Sequence, residues 1–424
     1  MLLVSDILEN KQEFITGLAK RNIKNGEDLL NTVIDLDQQR KSTQQELDSN
    51  LSEAKTIAKA IGGLMKEGKR EEAEKAKNQT ADLKAKNKAL SEQLNRIQEE
   101  LLQALYNIPN IPHPSVIQGK SDEDNEEIKR VGDLPKMPEG AKAHWDIIKE
   151  KDIIDFDLGI KITGAGFPVY KGKGARLQRS LVNFFLDQAS NAGYREVQPP
   201  IIVNEASGYG TGQLPDKEGQ MYHIESENLY LIPTAEVPLT NMYRDVILNE
   251  KDLPVKNVGF TPSFRKEAGS WGSHVRGLNR LHQFDKVEII QVRKPEESYN
   301  TLQEMCDHVA ALLEKLGLPY RILRLCGGDL GFTSALTFDF EVYSAGQDKW
   351  LEVSSVSNFE TYQANRLKLR HKDENKKSIL LYTLNGSALA LPRIMAALIE
   401  NNQDDQGKIR IPEVLVPYTG FEYI

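Results

Sequence analysis

Two runs of apolar and small residues, each stepping alternately by four and three, constrain this chain more than any other feature. Leu29, Val33, Leu36, Arg40, Thr43, Leu47, Asn50, Ala54, Ile57 and Ile61 form the first. Ala76, Thr80, Leu83, Asn87, Leu90, Leu94, Ile97, Leu101 and Ala104 form the second. Gly62-Gly63 and Glu67–Arg70 lie between them. Heptads on either side of a glycine-containing turn predict an antiparallel coiled-coil hairpin over about 27–104. Helices of roughly 35 residues rise about 1.5 Å per residue, giving a rod about 50 Å long. A plain spacer would carry the same pattern, so the heptads alone do not state a purpose.

Charge adds to this. From Lys55 to Lys88 the ten bases Lys55, Lys59, Lys66, Lys69, Arg70, Lys75, Lys77, Lys84, Lys86 and Lys88 outnumber five acids, a local +5 on a chain of net charge -8. A solvated helix surface accounts for most such runs. A basic tip on an acidic body also suits a phosphate backbone held without base contacts. The overall acidity argues against nucleic-acid binding by the surface as a whole.

The chain's 424 residues allow two or three domains. The first residues, with Asp6 and Glu9, do not read as a signal peptide, and no run approaches a membrane span. Cys306 and Cys326 lack zinc-type spacing and read as small core residues of a cytoplasmic protein. Pro109, Pro112 and Pro114 followed by polar residues mark 107–127 as a linker between an N-terminal domain, 1–106, and a body, 128–424. In the body, "REVQPPIIV", "NLYLIP", "VEIIQV", "DFEVYS" and "WLEVSS" read as strands that do not alternate regularly with helices. This predicts an α+β fold on an antiparallel or mixed sheet.

The stretch 264–288 concentrates charge around glycines. Phe264–Glu267 and Arg280–Glu288 read as the two strands of a hairpin. Alternation would put Arg265 and Glu267 on one face of the first strand, and His282, Phe284, Lys286 and Glu288 on one face of the second. Such a face suits a ligand with a phosphate, a ring and an amine. It equally suits a solvent-facing sheet with surface ion pairs. In 231–250, Leu239, Met242, Tyr243, Val246 and Ile247 have helical spacing, with Thr234 as N-cap and Glu236 in the first turn. Glu352, Ser354 and Ser355 offer hard oxygen donors suited to a nucleotide's magnesium. Pro392 fits a helix's first turn, and Arg393 beside it makes an anion site or an ordinary surface arginine.

Taken together these pieces resemble the bacterial-type seryl-tRNA synthetases, a family of class II aminoacyl-tRNA synthetases. The resemblance spans nearly the whole chain: the helical hairpin, "IPNIPHPSV", "GARLQRSLVNFFLDQASNAGYREVQPP", "TAE", the 264–288 stretch, "CGGDLGFTSALTFDFEVY", "EVSSVSNF" and "NGSALALPRIMAALIE". It implies the class II antiparallel sheet core behind the N-terminal hairpin. It implies serine activation by ATP and Mg2+ to seryl-adenylate, then transfer to tRNA for serine, and to tRNA for selenocysteine where that pathway exists. It implies a cytoplasmic homodimer with no membrane partner.

By position, the resemblance puts Arg265 on the α-phosphate and Arg393 on the γ-phosphate. Lys266, Glu267, Leu281 and Phe284 would meet the nucleotide, with Phe284 stacking on adenine. Glu352, Val353, Ser354 and Ser355 would continue the ATP site, with Glu352 and Ser355 on Mg2+. Thr234, Ala235, Glu236, Arg265, Glu288 and Ser387 would hold serine. Lys55, Lys59, Lys66, Lys69, Arg70, Lys75, Lys77 and Lys84 on the arm, and Arg276 near the catalytic centre, would meet tRNA. Trp271 and His274 read as loop residues. The helix bearing Leu177, Leu181, Phe184 and Phe185 would be core, dimer interface, or both.

Val356, Asn365 and Pro392 stand where the family commonly has cysteine, arginine and glycine, and none of them replaces a charged group. Two rival readings are weaker. A ligase charging a carrier protein would lack a full basic hairpin. A non-catalytic adaptor would have no need of Arg265, Glu267, Glu352 and Arg393 together.

Overall fold

A computed structural model describes residues 1–267 and 276–424. Trp271 and His274 lie outside the described residues. The chain divides into two compact units, Met1–Ala19 with Ile23–Pro109, and Lys20–Asn22 with Asn110–Ile424.

In the first unit, short helices Val4–Glu9 and Lys11–Lys20 precede α1 (Gly26–Lys66) and α2 (Arg70–Tyr106). The two long helices form the antiparallel hairpin. Leu47, Leu90 and Leu94 cluster between them, while Lys86 reaches Glu46 at 2.9 Å and Gln79 donates to Glu53 at 3.2 Å. The turn falls in the Glu67–Arg70 segment. Helix α1 runs straight through Gly62 and Gly63, and the chain reverses at Gly68, whose φ of +76° favours glycine. Interior positions also differ: Leu30, not Leu29, and Asp37, not Leu36, are buried, and Arg40 and Lys41 neutralise Asp37 at 2.7 and 2.8 Å.

Asn50 and Asn87 are buried, and Asn50 Nδ2 and Asn87 Oδ1 have no hydrogen-bond partner. Buried polar groups in a helical seam specify register at a cost in stability. Leucine at both positions is therefore expected to stabilise the arm by about 1–3 kcal/mol. Urea unfolding of the full chain would show a raised midpoint, and an unchanged or lowered one would contradict this.

In the second unit the eight-stranded sheet comprises β1 (Glu126–Val131), β2 (Arg195–Glu196), β3 (Val255–Phe264), β4 (Gln283–Arg293), β5 (Tyr320–Arg324), β6 (Leu336–Ser344), β7 (Lys349–Asn358) and β8 (Tyr382–Ala390). Its order is β1-β5-β6-β7-β8-β4-β3-β2, antiparallel except where β2 joins β3. The segment from Asn110 is tied to this body, since Asn110 N–H and Nδ2 donate to Phe332 O and Thr333 O, and His113 N–H donates to Ala335 O.

Helices α3 (Gly172–Asn191), α5 (Ser298–Lys315) and α6 (Leu391–Asn401) contribute to the main apolar core with sheet residues Val258, Ile289, Phe340, Val356 and Leu384. Between α3 and α5 in sequence, α4 (Glu236–Asn241) sits with a second cluster that includes Leu239, Ile290 and Leu367. Val287 and Ile289 enter the first cluster and Ile290 the second, so β4 is covered on both faces. Each fully buried Leu or Phe contributes about 1.5–3 kcal/mol relative to exposure. Leu177, Leu181, Phe184 and Phe185 are all in the main core. Cys306 and Cys326 are buried and free, and burial pushes the Cys306 thiol up to about 12. No helix among the described residues is long and apolar enough to cross a membrane.

Candidate active site

The first strand of the 264–288 hairpin ends at Phe264, and the second begins at Gln283. Arg265–Glu267 and Arg280–His282 therefore lie beyond the ladder, contrary to the strand reading. Their placement comes from tertiary hydrogen bonds. Arg265 N–H donates to His282 O at 2.9 Å, Lys266 N–H to Gln220 O at 2.9 Å, and Glu267 N–H to Gln220 Oε1 at 3.1 Å. Glu267 takes a φ of +47° and pairs with Arg280 at 2.9 Å. The Arg265 guanidinium lies 5.3 Å from the Phe284 ring centroid, and its Nε donates to Pro233 O at 3.3 Å. Lys266 is exposed, with its ammonium 5.9 Å from the Tyr222 ring.

Register does the rest. Phe284, Lys286 and Glu288 stand opposite Ser263, Thr261 and Gly259 on β3, and Glu288 stands opposite Ser387 on β8. Directly opposed residues share a face. Lys286 Nζ is 2.8 Å from Glu288 Oε2, and the Ser387 hydroxyl donates to the same oxygen at 3.3 Å. This pair is almost wholly buried, so removing one partner would leave an uncompensated charge costing about 3–5 kcal/mol. Thr261 Oγ1 and Ser263 Oγ are buried without partners beside it. The sequence reading missed both. A Thr/Ser alternation on a strand opposite a charged strand is the available signal.

Helix α4 is shorter than its spacing suggested. It stops at Asn241, Asp245 turns the chain with a φ of +60°, and Ile247–Leu248 forms a strand parallel to Arg370–Lys372. Ala235, not Thr234, flanks the helix, although Thr234 Oγ1 accepts from Glu236 N–H at 3.3 Å. Thr234, Ala235 and Glu236 are buried. Gln363 Nε2 donates to Glu236 Oε1 at 2.6 Å. Burial, and then the charge of Glu288, push the Glu236 carboxyl up to about 7, partly offset by Gln363, Lys286 and Arg265.

Glu352 and Ser355 are three apart, which on a regular strand would turn them to opposite faces. A bulge on β7 changes the parity: Asp339 opposes Ser355 while Glu341 opposes Glu352. Ser355 Oγ then reaches Glu352 Oε1 at 3.4 Å. Ser354 is turned away and donates to Ser387 O at 2.6 Å, and Val353 packs in the core, as does Leu281. Asp339, which the sequence reading also missed, joins this group. Its Oδ1 is buried without a partner, and burial and then the Glu352 charge raise its carboxyl far above the usual range. The alternation in "TFDFEVY" is the signal that could have found it. Arg393, in the first turn of α6, donates from Nη1 to Glu352 O at 2.7 Å and from Nε to Asn279 O at 3.0 Å. Val356 and Pro392 are buried.

Elsewhere, all eight basic residues read as tRNA contacts on the arm are exposed. Arg276 is also exposed, with its guanidinium 4.5 Å from the Trp145 ring centroid and 3.9 Å from Asp146.

Arg265, the buried carboxylates of Glu236 and Glu288, and the oxygen-rich group of Asp339, Glu352 and Ser355 thus lie on the sheet or on segments beside it. Similarity to known proteins covers both units. The seryl-tRNA synthetase N-terminal domain model matches residues 1–112, and the tRNA synthetase class II core domain model (G, H, P, S and T) matches 222–402. The Serine--tRNA ligase of Salinibacter ruber is 48% identical over 94% of this chain and 93% of its own length. That of Alkaliphilus oremlandii is 44% identical over 99% and 98%. A crystal structure of the seryl-tRNA synthetase from Pyrococcus horikoshii complexed with ATP is 32% identical, with a TM-score of 0.92 over 100% of this chain and 99% of that one.

Proposed function

Because the chain belongs to the seryl-tRNA synthetase family, we propose that it converts L-serine and ATP to seryl-adenylate and transfers the seryl group to tRNA for serine. In the first step a serine carboxylate oxygen bonds to the α-phosphorus, and the bond from that phosphorus to the β-phosphate's bridging oxygen breaks, releasing pyrophosphate. The carboxylate is already ionised near neutrality, so no general base is needed. The demands are alignment and neutralisation of phosphate charge. Arg265 meets the α-phosphate, Phe284 stacks on adenine, and Arg393 leaves Glu352 for the γ-phosphate. In the second step a hydroxyl of the tRNA's terminal ribose attacks the acyl carbon and AMP departs.

Asp339 Oδ1, buried and unpartnered beside Glu352 and Ser355, makes a hard-oxygen donor set that fits Mg2+. Glu352 and Ser355 would hold the ion, which supplies charge neutralisation on the phosphates. Lysines on the arm hold the tRNA backbone. The protein works as a cytoplasmic homodimer.

The observation that carries this reading is the buried pair Glu236 and Glu288 close to Arg265, a place for an ammonium beside a place for a phosphate. Serine-dependent exchange of pyrophosphate into ATP without tRNA tests it, and absence of exchange would overturn it.

The elevated Glu236 carboxyl adds a pH prediction. Its native value lies above the unfolded one, so the neutral form is favoured in the empty site and is lost as pH rises through about 7. Serine's ammonium needs the ionised form. With a midpoint near 7, serine should bind about tenfold more weakly at pH 6 than at pH 8. Glu236→Gln should flatten that dependence. Calorimetric titration measures both, and pH-independent binding by the unaltered protein would contradict the assignment.

A further inference from the structure

His144 has no exposed surface, yet it lies outside the group of residues just described. Its Nε2 accepts from Leu278 N–H at 2.9 Å. A backbone amide only donates, so Nε2 carries the lone pair. Nδ1 must then bear the proton it shares with Glu400 Oε1 at 2.7 Å. Glu400 is fully buried and is held on every side. Oε1 also accepts from His144 N–H at 2.9 Å and from Gln347 Nε2 at 3.2 Å, and Oε2 accepts from the Ser344 hydroxyl. Gln347 Oε1 in turn accepts from Asn279 Nδ2 at 2.8 Å.

These contacts converge on Gly277–Asn279. Gly277 has a φ of +64°, and a Cβ there would fall 2.2 Å from His144 Nε2. Leu278 is buried, and Asn279 O holds Arg393 Nε. Glu400 and Arg393 are on the same helix, α6. The chain of contacts therefore leaves α6 near its end, passes through His144 and Gln347, and returns at its first turn to the guanidinium.

We propose that His144, oriented by Glu400, is a positioning residue that fixes the Gly277–Asn279 backbone so that Asn279 O holds Arg393 at the angle the nucleotide requires. This rests on the reading of Arg393 as a phosphate ligand. His144 touches no substrate and moves no proton in the reaction.

The ring can be divided chemically. Glutamine places an amide oxygen near Nε2, keeping the acceptor for Leu278. Asparagine places an amide nitrogen near Nδ1, keeping the donor to Glu400 and losing that acceptor. Both variants remove the ring, so their thermal midpoints should fall alike. Pyrophosphate exchange should separate them. His144→Asn should raise the ATP KM about tenfold or more with the serine KM unchanged, and His144→Gln should stay within about threefold of the unaltered protein. Gln347→Met, which cuts the Asn279 link together with the Gln347 bonds to Glu400 and Ser344 but leaves the His144 ring in place, should also raise the ATP KM, and it carries the test if His144→Asn does not fold. Equal ATP KM values for the two His144 variants, activity loss that only tracks melting, or an unchanged KM in Gln347→Met would overturn the proposal. Arg393→Ala run alongside separates the premises. Normal exchange in that variant would sink the phosphate role itself, whereas loss there with an unchanged His144→Asn would sink only the positioning role.

Discussion

Arg265→Ala should lower serine-dependent pyrophosphate exchange by about 10²–10³-fold, the cost of losing one preorganised charge aimed at a reacting centre. The side chain has no large structural duty that would confuse the result. It is half-buried, among the described residues its side chain makes one hydrogen bond, at 3.3 Å, and it lies over the half-buried Phe284. The backbone bond to His282 O survives the substitution. The thermal midpoint should therefore move little while turnover collapses. The loss should appear in kcat more than in the KM for serine, because the charge matters most as the α-phosphate becomes crowded. Lysine should recover part of the rate, since it restores charge without the planar fork. Near-normal turnover of Arg265→Ala would break the assignment.

Deleting residues 36–98 should leave exchange within about threefold of normal and abolish tRNA charging, a loss of about 10²–10³ or more in kcat/KM for tRNA, because the phosphate contacts leave with the arm. The cut is compatible with the hairpin. The Glu46–Lys86 and Glu53–Gln79 pairs set a register that brings residues 35 and 99 close to abreast. Every residue of the basic tip is removed, and all eight cationic side chains assigned to tRNA there are exposed. In the intact protein, charging should weaken steeply with salt, while exchange should not. Charging that survives the deletion untouched would refute the arm's role. Exchange that vanishes would mean that the deletion damages the second unit.

The hairpin was legible because heptad periodicity is a local signal, repeated over many turns. Gly62 and Gly63 look like breakers yet lie within α1, and the turn uses Gly68 instead. Each costs only about 1 kcal/mol in a helix, which a helix of 41 residues absorbs. In the site, alternation placed Lys286 and Glu288 correctly, since β4 pairs with β3 in unbroken register there. It failed at Arg265–Glu267, where bonds to Gln220 replace the ladder. It also could not see that a bulge turns Glu352 and Ser355 to a common side. Gln363 and Glu400 were invisible for a related reason: their partners lie on other elements, and one sequence carries no record of that pairing.

The most direct measurement is a crystal structure with a non-hydrolysable seryl-adenylate mimic. The account predicts adenine on Phe284, the phosphate mimic at Arg265, and the seryl ammonium and hydroxyl among Glu236, Glu288 and Ser387. Adenosine lodged elsewhere, with Arg265 and Phe284 facing solvent, would contradict it.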